Sequence, residues 1–159
     1  MADRRHLVDI TLDASAQVSP SANVAHDCRA AIFDLLEENV FGLVGHSGGP
    51  YTLRIGLKER RLVFDIREQE GERLLELRLS LSPFRSVIRD YFKVCDSYYE
   101  AIKSASPSRI EAIDIGRRAL HNEGAELLRE RIKHRIWIDG DTARRLFTLI
   151  CALHPRTIS

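Results

Sequence analysis

A predicted helix around residues 114–124 carries charges and glycines where a buried apolar face is expected. At about 100° per residue, three apolar side chains spaced seven apart form one stripe: Ile113, Leu120 and Leu127. Arg117 and Glu123 fall on this stripe or its edge, beside Gly116 and Gly124. A glycine inside a helix costs about 1 kcal/mol relative to alanine, and an unpaired buried charge costs more. The pattern therefore predicts a site in this helix, although it does not identify an activity.

Four polar residues of this helix form the candidate site. Asp114, Arg118 and His121 share one face, and Arg117 lies three residues after Asp114 and four before His121. Side chains at these spacings are neighbours, so an acid, a base and a cation can meet. Two interpretations stay open. In a pocket, Arg117 would clamp an anionic group while His121 or Glu123 transfers protons; otherwise the group is a structural network of ion pairs.

Glu123 is the residue whose environment is hardest to predict. Its position between Leu120 and Leu127 predicts partial burial, which would require an arginine partner such as Arg144 or Arg145. Alternatively, residues 122–124 end one helix and begin another, which would place Glu123 at a helix end.

The hydrophobic periodicity predicts an α+β fold. Alternating apolar residues in 51–57, 62–66 and 75–81, separated by polar turns, are typical of an antiparallel three-stranded meander. Periods of three to four residues predict about four helices packed on this sheet, over 21–40, 83–105, 107–133 and 142–154, with the last helix central because it is apolar nearly all round. Residues 6–12 and 134–139 are further short strands, and 41–50 is a glycine-rich loop.

The helix starts have recognisable signals, since serine and aspartate accept hydrogen bonds from the first turn and proline suits its first position. The predicted N-caps are Ser21, Ser82 before Pro83, and Asp141, and residues 106–108 break one helix and start the next.

The length of 159 residues fits one domain spanning 1–159, with 1–5 and 155–159 as flexible ends. The chain lacks an apolar run long enough to cross a membrane, and its first residues lack the apolar core of a signal peptide, so we expect a cytoplasmic protein. Cys28, Cys95 and Cys151 lie far apart on apolar helix faces, which predicts buried free thiols rather than a disulfide or metal site. Familiar cofactor motifs are absent, so we expect no cofactor.

The loop at 45–49 matches the G-x-S-x-G pattern of a hydrolase nucleophile. That elbow needs a strand before it and a helix after it, whereas here a helix precedes and a strand follows, so the pattern favours a connector. A weaker hypothesis is that His46 and the backbone near Gly48 contact an anion and close the pocket of the charged helix.

The helices over 83–135 present aromatic and arginine side chains that could bind a macromolecular partner, which makes a non-enzymatic interaction or regulatory protein the slightly preferred function. The alternative is a small enzyme or an anionic-ligand-binding domain. Arg85, Arg89 and Lys93 form a basic ladder, but Asp96 and Glu100 share its face and the net charge is only +1, which disfavours nucleic acid.

Seven segments distributed over the chain resemble uncharacterised protein family 0262, small proteins of alphaproteobacteria. They are residues 33–39, 49–51, 62–66, 81–84, 110–114, 120–124 and 142–150. The resemblance implies a single domain in the bacterial cytoplasm and assigns no ligand or catalytic role to any residue.

Overall fold

The computed structural model describes residues 5–13, 22–69 and 71–153. The described elements, in chain order, are β1 (Leu7–Leu12), α1 (Ala22–Glu37), β2 (Phe41–Leu43), β3 (Tyr51–Lys58), β4 (Arg61–Glu68), β5 (Arg73–Ser80), a 3₁₀ turn (Ser82–Phe84), α2 (Arg85–Ser104), α3 (Pro107–Ile132), β6 (Ile136–Ile138) and α4 (Gly140–Leu153).

The main sheet has four strands in the spatial order β1, β3, β4, β5. Antiparallel pairing of β3 with β4 and of β4 with β5 confirms the predicted meander. The sheet as a whole is mixed, because β1 runs parallel to β3. Parallel neighbours need a long crossover connection, and the segment containing α1 provides it. The fold class is α+β, as the periodicity predicted.

The turn between β3 and β4 sets the register of the meander. Glu59 and Arg60 have φ values of 53° and 64°, and positive φ at both positions of a two-residue loop defines a type I′ turn. Lys58 and Arg61 therefore close the hairpin. The pairs that follow on the core face are Leu57 with Leu62, Ile55 with Phe64, and Leu53 with Ile66.

A second, two-stranded sheet pairs β2 with β6. The sequence predicted β6, but it assigned all of residues 41–50 to a loop. A strand of three residues is too short to show a period, and β2 exists because Phe41 and Ile138 pair across the sheet and are both buried.

Helix α4 is central, as predicted, because most of its residues are buried, including Leu146, Phe147 and Ile150. Its N-cap was assigned wrongly. The Asp139 carboxylate accepts from the Thr142 amide at 2.9 Å, whereas Asp141 lies in the first turn and forms an ion pair.

Helix α3 begins as predicted, with the Ser106 hydroxyl accepting from the Arg109 amide at 3.3 Å. It continues to Ile132, so the alternative of a helix boundary at 122–124 was wrong. The Ser82 hydroxyl makes no cap, because α2 starts through a 3₁₀ turn, and Ser21 lies outside the described residues.

The two glycines of α3 have different environments. Gly124 is buried against the ring of Phe147 on α4, and a Cβ at this position would overlap that ring. At Gly116, a Cβ would meet only Val94, at an ordinary contact distance of 3.9 Å. The missing side chain at Gly124 therefore permits the close approach of α3 and α4.

Cys28, Cys95 and Cys151 are buried and free, as predicted. Burial raises the pKa of all three thiols, so they are protonated at neutral pH and are poor nucleophiles. Within the described ranges, no helix has the length and apolar character needed to span a membrane.

Candidate functional site

A cleft of about 490 Å³ opens between the four helices. We call it the helical cleft. Its lining residues are Asp27, Ala30, Ala31 and Asp34 from α1, Tyr91 from α2, Arg117, Arg118, His121 and Asn122 from α3, and Arg144, Arg145 and Thr148 from α4. Arginines line the sides formed by α3 and α4, and carboxylates line the side formed by α1.

Arg117 is held in a fixed orientation by two neighbours. Its guanidinium donates from Nε at 3.0 Å and from Nη2 at 2.5 Å to one carboxylate oxygen of Asp114. Its Cζ also lies 4.2 Å from the ring centroid of Tyr98, a cation–π distance. The Asp114 carboxylate raises the pKa of Arg117 despite the opposing effect of partial burial. Arg117 is therefore a permanent, positioned cation.

The other three arginines have fewer constraints. Arg118 pairs with the second oxygen of Asp114 at 3.2 Å, and two thirds of its side chain is exposed. Arg144 pairs with Asp141. Arg145 contacts only the backbone carbonyl of Glu38, at 3.5 Å, among the interactions of the described residues. Arg145 therefore has the most free donor capacity of the four.

His121 lies at the floor of the cleft. Its Nε2 is 2.8 Å from the hydroxyl of Thr148, and that hydroxyl donates to the carbonyl of Arg144 at 3.3 Å. Because a hydroxyl has one hydrogen to donate, Nε2 is the donor to Thr148, which leaves Nδ1 as an acceptor. The ring also packs against Tyr91 and Phe147, with centroid distances of 5.3 and 5.6 Å.

The environment of His121 keeps its imidazole neutral. Burial is the main cause that lowers its pKa, and the positive charges of Arg144 and Arg117 lower it further, to about 4. At neutral pH the unprotonated ring nitrogen can therefore accept a hydrogen bond or a proton, and the ring is not in the imidazolium form that a general acid requires.

The carboxylates on the α1 side of the cleft were not predicted from the sequence. Asp27 accepts a hydrogen bond from the Tyr99 hydroxyl at 3.2 Å, and Asp34 lines the cleft about two helical turns further along the same face of α1. Both residues looked like ordinary polar positions of an amphipathic helix, and only the packing of α1 against α4 brings them opposite the arginines.

The structure brings Arg117, Arg118 and His121 to the cleft as the sequence predicted, whereas Asp114, which forms the intrahelical ion pairs with both arginines, is not among the lining residues. Glu123 is different: it is exposed and does not line the cleft, so the expected partial burial was wrong. The next residue, Gly124, lies against Phe147 of α4, and Glu123 is turned by about 100° from it around the helix.

The loop containing His46 and Gly48 does not line the helical cleft either. His46 Nδ1 accepts from the Gly48 amide at 3.1 Å and lies 3.2 Å from the Tyr51 hydroxyl. Its Nε2 lies 3.6 Å from a carboxylate oxygen of Glu68. Both ring nitrogens therefore have partners within the loop and the sheet, which explains the position of His46 without a ligand.

The shared helix face predicts that Asp96 and Glu100 pair with the basic ladder of α2. Glu100 forms its ion pair with Lys103 rather than with the ladder. Arg85 is partly buried, and its Nε has no hydrogen-bond partner among the described residues. Within that same part of the chain, no group of three or more His, Cys, Asp or Glu side chains could hold a metal ion.

The fold and cleft define a class of small α+β protein with an arginine-lined cleft between helices. The particular family follows from the sequence: the model of the Uncharacterised protein family (UPF0262) matches residues 4–156. The chain belongs to this family, and the resemblance found in the seven segments is confirmed.

Relatives that carry the name UPF0262 protein match nearly full length. One from Hyphomonas neptunium is 57% identical over 93% of this chain and 91% of its own length. One from Xanthobacter autotrophicus is 57% identical over 91% of this chain and 89% of its own, and one from Rhodospirillum rubrum is 52% identical over 98% and 96%. No solved structure matches the chain.

Proposed function

We propose that this protein binds a small ligand in the helical cleft, and that the ligand carries an anionic group and a cationic amine. The observation that carries the proposal is the division of charge: Arg117, Arg118, Arg144 and Arg145 line one side, and Asp27 and Asp34 line the other. A phosphate or a carboxylate matches the planar donor fork of a guanidinium, and an amine matches a carboxylate.

Two features support an anion on the arginine side. Arg117 is already oriented by Asp114 and Tyr98, so little side-chain freedom is lost when it binds. Arg145 keeps most of its donors available for a ligand. The neutral His121 adds a hydrogen-bonding group at the floor without a further positive charge.

The acidic side restricts the ligand class. Two of the four arginines share the charge of Asp114, and Arg144 pairs with Asp141, so the cleft has no large excess of positive charge. A purely anionic ligand would gain from the arginines but would also meet Asp34. A ligand with an amine at the opposite end complements both walls.

Calorimetric titration with two matched compounds tests the proposal. Ethyl phosphate carries the anion alone, and O-phosphoethanolamine adds an amine to the same frame. We expect both to bind, with the amine-bearing compound binding more tightly. Arg145→Gln should weaken both by about tenfold, the loss of one charged hydrogen bond, whereas Arg109→Gln, an exposed α3 position outside the cleft, should change neither.

Asp34→Asn separates the two parts of the proposal. It should remove the preference for O-phosphoethanolamine while leaving the affinity for ethyl phosphate equal or higher. Failure of both compounds to saturate the protein contradicts anion binding at these walls, and equal affinities in the native protein contradict the role of the acidic side. The setting that we propose for this activity is the bacterial cytoplasm.

A second proposed function is association with a macromolecular partner through the helical 83–135 surface. It is supported by Ile102 on α2 and Ile115 on α3, which are 50% and 56% exposed. We expect Ile115→Ser to abolish co-purification of a partner from the native cytosol. Unchanged association contradicts this function.

A further inference from the structure

The strand β5 is the last strand of the main sheet, and among the described residues it pairs with β4 alone. An edge strand of eight residues presents a row of backbone donors and acceptors to another strand. Which residues present them follows from the register of the meander.

The hairpin geometry identifies these residues. In a two-residue hairpin, the residues that flank the turn form a hydrogen-bonded pair, here Lys58 and Arg61. Because such pairs alternate along antiparallel strands, residues 62, 64 and 66 of β4 direct their backbone groups towards β5, where Leu79, Leu77 and Leu75 receive them. The alternate residues of the regularly paired part of β5 therefore direct their backbone groups to the open edge: Glu76, Arg78 and Ser80.

The charges on this edge complement each other about a twofold axis. If two copies of β5 pair antiparallel with Leu77 on the axis, Glu76 of one copy lies opposite Arg78 of the other, and Arg78 opposite Glu76. Within one chain these two side chains already form an ion pair at 3.3 Å on the outer face of the sheet. Opposite charges directly across a strand pair stabilise it, and like charges destabilise it.

The apolar positions fit the same register. Leu77 would face its own copy on the core side of the sheet, and Leu75 of one chain would face Leu79 of the other. Leu75 and Leu79 pack against the core but remain partly exposed at the edge. Pairing of two edges would cover them, so apolar, charged and backbone groups all favour one register.

We propose that a second copy of this chain binds along β5, extending two four-stranded sheets into one sheet across a twofold axis. Such an isologous contact uses the same surface on both copies. It involves the edge of the sheet opposite to β1 and does not depend on the function of the helical cleft.

Sedimentation velocity of the full chain, over a hundredfold range of concentration, tests this contact. We expect a species of twice the chain mass of 18.1 kDa. Glu76→Arg places four cations at the axis, and Arg78→Glu places four anions there, so each should yield monomer. The exchange Glu76→Arg with Arg78→Glu restores opposite charges across the axis and should restore the dimer. Glu123→Arg, an equal charge change on the exposed face of α3, should leave it intact.

A native protein that stays monomeric throughout overturns the proposal, as does a dimer that both single reversals leave unchanged. A monomeric exchange variant overturns the register. Hydrogen exchange of the native protein gives a second measurement that requires no variant: the amides of Glu76 and Arg78 should become protected as the concentration rises. Fast exchange of both amides at every concentration also overturns the contact.

Discussion

Replacement of each α3 glycine by alanine gives a quantitative test of the helix packing. Alanine in a helix interior is favoured over glycine by about 1 kcal/mol. At Gly116 the new methyl group meets only Val94, at 3.9 Å, so this gain should appear almost in full. We expect Gly116→Ala to raise the free energy of unfolding by about 0.5–1 kcal/mol.

The same change at Gly124 should have the opposite sign. The methyl group would overlap three atoms at the edge of the Phe147 ring, and this ring is fully buried between Tyr91 and His121. Overpacking of this kind costs about 1–3 kcal/mol, and the overlap with a confined ring places the cost at the upper end. After subtraction of the helix gain, Gly124→Ala should lower the free energy of unfolding by about 1–2 kcal/mol.

Urea unfolding followed by circular dichroism measures both values, and the midpoints of thermal unfolding should move in opposite directions by about 2–4 °C per kcal/mol. In the double variant Gly124→Ala with Phe147→Leu, the smaller side chain makes room for the methyl group. The two substitutions should therefore cost less together than the sum of their separate effects. If both single alanine variants are more stable than the native protein, the close contact between α3 and α4 is refuted.

Three further predictions concern a pH effect, a buried hydroxyl and a helix cap. The pKa of His121 is about 4 in the folded protein and about 6.5 in the unfolded chain, so the unfolded chain binds more protons between these values. From pH 7 to pH 5, the free energy of unfolding should therefore fall by about 1–2 kcal/mol more in the native protein than in His121→Gln. Equal falls in the two proteins, measured by urea titration, would contradict the neutral, buried ring. Thr142→Val removes the hydroxyl to which the Val40 amide donates at 2.9 Å, so it should lower the free energy of unfolding by about 1–3 kcal/mol in chemical denaturation. Thr142→Ser keeps the hydroxyl and should lower it less. Similar decreases in both variants would exclude this hydrogen bond as the cause. Asp139→Ala removes the observed cap of α4 and should lower the free energy of unfolding, measured by thermal unfolding, by about 1 kcal/mol. An equal effect of Asp141→Ala would contradict the assignment of the cap to Asp139 and support the assignment expected from the sequence.

Much of the fold follows from local patterns in the sequence. The meander was predictable because alternation with a period of two appears in three neighbouring segments, and its polar turns separate them. Helix α4 was recognisable as central because apolar side chains lie nearly all round it in its second half. Likewise, Asp114, Arg117, Arg118 and His121 could be grouped because their neighbourhood depends only on helical spacing.

The opposite wall of the site could not be predicted in this way. Asp27 and Asp34 belong to α1, and nothing in their local sequence states that α1 packs beside α4. His121 is similar: its spacing placed it in the cluster, but its lowered pKa comes from burial and from Arg144, a residue on another helix.

The sequence by itself determined the helices, the meander and the charged face of α3, because hydrophobic period and helical spacing are local properties of the chain. Tertiary structure alone decided the parallel position of β1, the strand β2, the exposure of Glu123 and the use of Asp139 as a cap. The first three depend on contacts with segments that are distant in sequence. The cap depends on the backbone conformation that directs the Asp139 side chain towards the first turn of α4. The same reason applies to Gly124: a side chain is excluded there because Phe147 of α4 occupies the space, and the local sequence does not specify that contact.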